Sequence, residues 1–150
     1  MRLARFIAAG FGSGYAPFAA GTVGSAVALV VGGGLLSLSP LAVAVAAVVA
    51  TLGGYLAVRR GVTEDDPGWV VIDEFAGQWI ALVALSRPSV TGLAAAFILF
   101  RLFDITKPGP VGWADRRHGA FGVMADDVIA GAIAAALLLA ARLLRPEWGL

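Results

Sequence analysis

Residues 69–82 read WVVIDEFAGQWIAL, an apolar run with Asp73 and Glu74 side by side in it and Gln78 one helical turn further on. Adjacent carboxylates in such a run demand a reason, because an ionised group inside a bilayer or a packed core must be paired, protonated or metal-bound. The surrounding composition sharpens the point. The chain has 150 residues, a length suited to one domain, and 59% of them are hydrophobic. Soluble globular domains hold about 45–50% apolar residues, so the chain reads as a membrane protein. It has no cysteine and a single histidine. Disulfides, thiolate metal sites, a cysteine nucleophile and two-histidine zinc sites are therefore excluded. The net charge is +1 and no basic run exceeds two residues, which gives no reason to expect a nucleic-acid partner.

Working outward, five apolar segments emerge: Gly21–Leu38, Leu41–Val58, Trp69–Ser86, Pro88–Phe103 and Val128–Leu144. A helical span needs about 20 apolar residues, with about 17 to 25 tolerated. The first, second and fifth meet this readily. The third has the length but carries Asp73, Glu74 and Gln78. The fourth is short unless its helix continues through Arg101 and Asp104 to Lys107, where Pro108 would stop it. Two or three spans are expected and five are the upper count. The fold class is all-α, a polytopic membrane helical bundle. Glycines in VVGGGLL (residues 30–36) suit either close helix packing or a helix break. The N-terminal piece, with Arg2 and Arg5 ahead of FIAAGFG, lacks a cleavage pattern and reads as a retained interfacial segment.

With a cytoplasmic N-terminus and five spans, Arg59, Arg60, Lys107, Arg116 and Arg117 join Arg2 and Arg5 inside, while Arg87, Arg142 and Arg145 remain outside. That bias follows the positive-inside rule. Trp69 and Trp113 fall near the inner interface and Trp148 near the outer one. On the same map, nine of the ten carboxylates, all between Glu64 and Asp127, fall at or near one membrane face. The expected product is a polar site on the cytoplasmic side.

Carboxylates gathered without counterions repel each other, and a hard divalent cation resolves the repulsion; magnesium, manganese and calcium all suit oxygen ligands. Plainer readings exist for single residues. Asp126 and Asp127 would favour a helix N-terminus through its dipole, and Asp104 would pair with Arg101 or Lys107, each three residues away. Arg101 and Lys107 flank Asp104, and Arg116, Arg117 and His118 follow in a loop. Cations beside an acidic cluster suit a phosphate ester bridging metal and guanidinium. In AGTVGS (residues 20–25), Thr22 and Ser25 stand at a helix start, where free backbone amides bind phosphate; a turn with a hydroxyl cap explains the motif equally well.

Four ordered motifs, GFGSGYAPFAAGTVGS, DDPGWVVIDEFAGQWIAL, FRLFDITKPGPVGWADRR and GVMADDVIAG, resemble those of the phosphatidylglycerophosphatase A family over about Gly10 to Gly131. The resemblance implies a magnesium-dependent enzyme of the bacterial inner membrane that removes the terminal phosphate of phosphatidylglycerol phosphate to give phosphatidylglycerol. It places Asp66, Asp73, Glu74, Arg101, Asp104, Lys107, Asp115, Arg116, Asp126 and Asp127 on the family's characteristic polar positions. Two departures stand out. Ala20-Gly21-Thr22 replaces the usual Pro-Gly-Thr, and His118-Gly119-Ala120-Phe121-Gly122 lacks the usual Gly-Gly pair.

The mechanism then expected is metal-assisted phosphomonoester hydrolysis. Asp66, Asp73, Glu74, Asp126 and Asp127 are the candidate magnesium ligands. Asp104, Arg101, Lys107, Asp115 and Arg116 are the candidate catalytic residues, and Thr22, Ser25, Arg101 and Lys107 the candidate substrate-binding ones. Water is preferred to a carboxylate as nucleophile. The competing reading from another class is a small ion- or proton-coupled transporter, which would hold carboxylates near the midplane.

Overall fold

The computed structural model describes residues 2–64 and 67–150. Among them there is no strand. Seven α-helices follow one another: α1 (Arg2–Ala8), α2 (Ala20–Leu38), α3 (Pro40–Gly61), α4 (Ile72–Leu82), α5 (Val90–Thr106), α6 (Pro110–Asp115) and α7 (Gly119–Leu144), with short 3-10 turns at Gly10–Tyr15 and Pro146–Trp148. The chain is an all-α helical membrane bundle. Three helices, α2, α3 and α7, are long and apolar enough to cross a membrane. At 1.5 Å per residue their 19, 22 and 26 residues span about 28 to 39 Å, against a hydrocarbon core of about 30 Å. Their outward residues include Val30, Leu38, Leu41, Val49, Leu52, Leu143 and Leu144, all exposed. An apolar exterior of this extent belongs in lipid, since soluble monomers rarely present large contiguous apolar patches.

Local signals set the helix ends. The Ser39 hydroxyl accepts from the Ala42 amide at 3.0 Å with Pro40 in the first turn, which starts α3 directly after α2. Ser89 caps α5 in the same way through the Gly92 amide at 3.0 Å. At the other end α5 does run on through Arg101 and Asp104. It closes on Lys107 in the left-handed region (φ 47°), with Pro108 next. Through residues 30–36 the glycines neither break nor loop, and α2 is continuous.

Two expected segments change shape. Trp69–Ser86 is helical only over Ile72–Leu82, about 16 Å long and too short to span. In exchange this helix is central. Phe75, Ala76, Gly77, Gln78, Ala81 and Leu82 are all buried, and α4 packs against α2, α3, α5 and α7. The last segment begins nine residues before the expected Val128, because α7 starts at Gly119. Asp126 and Asp127 therefore lie two turns inside the helix rather than at its N-terminus, and the dipole reading of these two acids fails on geometry.

The chain nevertheless alternates between two ends of the bundle. At one end Val71 N–H donates to Ala8 O at 3.0 Å, and the starts of α2 and α4 meet the end of α5. At the other end the turn after α4 meets the end of α7: Arg142 donates to Ala84 O at 2.8 Å, and Ser86 and Ser89 donate to the Leu150 and Gly149 carbonyls at 2.9 and 3.0 Å.

The α4–α7 crossing depends on two glycines. A Cβ on Gly131 would strike the backbone of Gly77, with the Gly77 Cα only 2.8 Å away, and a Cβ on Gly77 would strike the Asp127 carbonyl at 2.6 Å. Small residues let helix backbones approach this closely. Gly131→Ala should consequently lower the melting temperature in detergent, with overpacking costs of about 1–3 kcal/mol. Gly34→Ala, where a Cβ meets nothing within 4 Å, should leave it unchanged or raise it, as alanine is favoured over glycine in a helix by about 1 kcal/mol. Equal responses of the two variants would contradict this view of the crossing.

Candidate active site

Glu74, Asp104 and Asp127 come from α4, α5 and α7, and each offers a carboxylate oxygen within 4.8 Å of the other two. All three residues are buried. Helix periodicity and chain alternation produce this convergence. Glu74 lies in the first turn of α4, Asp104 in the last turn of α5 and Asp127 two turns into α7, so three helices deliver carboxylates to one level of the same end. Gly21 makes room on the fourth side. A Cβ there would collide with Glu74 Oε1, so the glycine lets the start of α2 close over the cluster with the Glu74 carboxylate left where it is.

Arg101 is the internal counterion. Its Nη1 donates to Glu74 Oε1 and Oε2 at 2.9 and 2.7 Å, to Asp104 one turn along α5, and to Ser25 Oγ at 3.3 Å. Its Nη2 points to the rim, 3.3 Å from Thr22 Oγ1. Ser25 is fully buried. Its hydroxyl lies 2.6 Å from Glu74 Oε2 and 2.9 Å from the Gly21 carbonyl, so it holds Glu74 in place. Thr22 is exposed beside the site. One Asp127 oxygen, Oδ2, is buried without a hydrogen-bond partner.

A second cation stands alongside. The left-handed conformation of Lys107, uncommon outside glycine, lets α5 end while the amine reaches Asp115, with which it is ion-paired, and Asp126, at 2.8 Å. Burial on its own would lower the Lys107 pKa, but hydrogen bonds and charge from Asp115 and Asp126 outweigh it and hold the ammonium above its ordinary value. Asp104 pairs with Arg101, and Lys107 reaches Asp115 and Asp126 instead.

The expected site residues are thus sorted. Glu74, Asp104, Asp127, Arg101, Ser25 and Thr22 form one cluster, and Lys107, Asp115 and Asp126 form another beside it. Asp104, expected to serve in catalysis, shares the compact triad, whereas Asp126, expected as a ligand, is engaged by Lys107. Asp73 is half-buried at the edge, and one of its oxygens accepts from the Glu74 amide at 3.0 Å. Arg116 is exposed at the end of α6, and the Arg117 guanidinium covers the Trp113 ring at 4.5 Å. His118 is exposed at the start of α7. Asp66 lies outside the described residues.

The oxygen-only donors fit a hard divalent ion. Of the three buried carboxylates, Glu74 and Asp104 share the Arg101 guanidinium, and the stranded Asp127 Oδ2 offers an unused acceptor.

The family model of phosphatidylglycerophosphatase A matches residues 6–142. The chain is 39% identical over 137 residues to phosphatidylglycerophosphatase A from Escherichia coli (strain K12), an alignment covering 88% of this chain and 79% of that one. It is 40% identical over 141 residues to the protein of the same name from Haemophilus influenzae, covering 89% and 85%. It is also 39% identical over 145 residues to a putative phosphatidylinositol-3-phosphatase from Bacteroides thetaiotaomicron, covering 91% of each. No solved structure matches the chain. With its four motifs folded into one carboxylate-and-arginine site, the chain belongs to the phosphatidylglycerophosphatase A family and is an enzyme, a phosphoric monoester hydrolase.

Proposed function

We propose that this single-domain protein hydrolyses the terminal phosphate of phosphatidylglycerol phosphate in a magnesium-dependent reaction, at a site on the cytoplasmic side of a bacterial inner membrane. The observation that carries the reading is the triad of Glu74, Asp104 and Asp127 with Arg101 among its carboxylates. Orientation is supported by charge. Arg2, Arg5, Arg59, Arg60, Lys107, Arg116 and Arg117 gather toward the site's end of the bundle, seven in number, against three (Arg87, Arg142 and Arg145) toward the other. A lipid substrate is supported by the exposed Phe18, Leu102 and Ile105, close along the chain to Thr22 and Arg101, which put apolar side chains beside the polar cluster. The carboxylates sit at one end of the bundle rather than halfway along it, which disfavours a transporter.

Glu74, Asp104 and Asp127 are the residues that would hold magnesium, with Asp73 at the edge. Bound there, the ion supplies Lewis acidity toward a phosphoryl oxygen and an attacking water. Arg101, whose Nη2 already faces the rim, exchanges carboxylate partners for phosphoryl oxygens and stabilises the charge that builds on them. Thr22 adds a hydroxyl at the same edge. Lys107 balances charge near the leaving oxygen, with Asp115 orienting its amine, and Arg116 contributes a further exposed cation. Water adds to phosphorus, the bond to the glycerol oxygen breaks, and that oxygen leaves with a proton, giving phosphatidylglycerol and inorganic phosphate.

Purified protein in detergent should release phosphate from phosphatidylglycerol phosphate with magnesium and cease with a chelator. Phosphatidylinositol 3-phosphate, assayed in parallel, decides the headgroup. Release from that lipid alone would transfer the substrate assignment to it, and no release from either would end the phosphatase proposal.

Asp127→Asn should cut kcat at least about 100-fold, the scale of losing a principal electrostatic contact in a transition state. The fold should persist, since removing one of several crowded negative charges relieves repulsion. Asp115→Asn should cost less, about 10-fold, as expected for a residue acting through another. Near-wild-type turnover by Asp127→Asn at low magnesium would remove Asp127 from the ligand set.

Lys107→Met should lower the melting temperature at neutral pH. A lysine whose pKa rises on folding stabilises fully below its unfolded value, near 10.5, and loses that contribution as pH climbs through the folded value. The gap between wild type and variant should thus persist through neutral pH and close only in strong alkali. Equal melting temperatures at pH 7 would show that the Lys107 bridges contribute no net stability.

A further inference from the structure

Gln78 follows Glu74 by four residues on α4 and so occupies the same face, one turn deeper into the bundle. That face is turned toward α2 and α5, because Glu74 meets Ser25 on one and Arg101 on the other. Gln78 is fully buried, and neither its Oε1 nor its Nε2 has a hydrogen-bond partner. Stranding a carboxamide this way is unfavourable, since the bonds it made to water in the unfolded chain are not replaced.

Two other buried side-chain atoms among the described residues share that condition, Arg101 Nε and Asp127 Oδ2. All four stranded atoms belong to residues of the carboxylate site or to its neighbour one turn down. They are also complementary. Gln78 Nε2 and Arg101 Nε are donors, whereas Gln78 Oε1 and Asp127 Oδ2 are acceptors. A purely structural position between packed helices would hold a leucine or methionine, and departures from that rule concentrate where function requires them.

We propose that Gln78 is a positioning residue of this active site, a carboxamide floor that holds Asp127 and Arg101 in the arrangement that receives the divalent cation and the phosphate ester. The proposal rests on the phosphatase reading above. Nε2 is the donor available to Asp127 Oδ2, a bond neither atom makes in this structure, and once made it would fix which carboxylate oxygen faces the cation. Oε1 is the acceptor offered to Arg101 Nε as the guanidinium turns from Glu74 and Asp104 toward the phosphate. Gln78 touches neither the ester nor the reacting water.

The test compares wild type with Gln78→Met, which keeps the length of the side chain and removes both polar atoms. Thermal unfolding of the full chain in detergent is followed with a chelator and over a magnesium titration, alongside steady-state hydrolysis of phosphatidylglycerol phosphate. The variant should melt at or above the wild-type temperature in chelator. Its magnesium midpoint for thermal stabilisation should rise by about 10-fold, and kcat should fall by about 10-fold or more, both typical of losing a supporting contact behind a metal ligand. KM should stay unchanged. A variant with wild-type kcat and magnesium midpoint overturns the proposal, as does a fall in melting temperature with undiminished turnover per folded molecule. If wild type itself shows neither magnesium-dependent stabilisation nor phosphate release, the phosphatase reading falls first. An active wild type with an indifferent variant removes Gln78 alone.

Discussion

The bundle is organised around the problem of keeping three carboxylates within 4.8 Å of one another in a largely apolar interior. Like charges at this separation repel strongly where the effective dielectric is low. The chain answers with Arg101, placed so that one nitrogen serves Glu74, Asp104 and Ser25 together. A planar guanidinium is suited to this, because it stays charged and presents several donors at fixed angles. Such a network is a poor source of net stability. The desolvation cost of its ions offsets most of their attraction, and removing one partner leaves a charge exposed to the apolar interior. Its value is geometric: it keeps oxygens gathered that would otherwise separate.

That arrangement requires helices that approach closely. Gly21 admits the Glu74 carboxylate against the start of α2, and Gly77 with Gly131 brings α4 backbone to backbone with α7. The short α4 is then the hub. Too short to span, it is shielded by the longer helices, and its polar residues face protein rather than lipid. The two cation clusters differ in kind. Arg101 is bonded to Glu74 and Asp104 of the triad, whereas Lys107 bridges Asp115 and Asp126 at its edge, so the two cations have no carboxylate partner in common.

Much of this was legible from the residues. The apolar runs gave α2 and α3 nearly to their ends, and Pro108 marked the close of α5. The polar motifs named the carboxylates and cations that meet. What periodicity could not supply was depth. Trp69–Ser86 has the composition of a span, yet the helix stops at Leu82, ahead of the Ser86–Ser89 turn that is tied to the chain's last residues. Asp126 and Asp127 looked like a helix boundary because hydropathy treats an acid as an interruption. In the fold they lie within α7, where Lys107 meets one and α4 packs beside the other. The grouping of Asp104 with Glu74 and Asp127, rather than of adjacent acids, depends on how three helices cross. Spacing along the chain carries no record of that.

The distribution of unfavourable features is itself informative. At the far end of the bundle the polar groups are matched: Arg142 meets the Ala84 carbonyl, and Ser86 and Ser89 meet the carbonyls of Leu150 and Gly149. At the near end the chain tolerates crowded acids, a left-handed lysine and four stranded polar atoms. Each costs stability, and nothing in helix packing asks for them, since small apolar residues would close the same space. Marginal stability makes such a concentration consequential, because a few kcal/mol is a large share of what holds a domain folded. The same end also carries the exposed Thr22 and the outward nitrogen of Arg101. Strain, unspent hydrogen-bonding capacity and access to the outside therefore coincide in one place, which is the physical signature of a site built to be completed by a charged ligand.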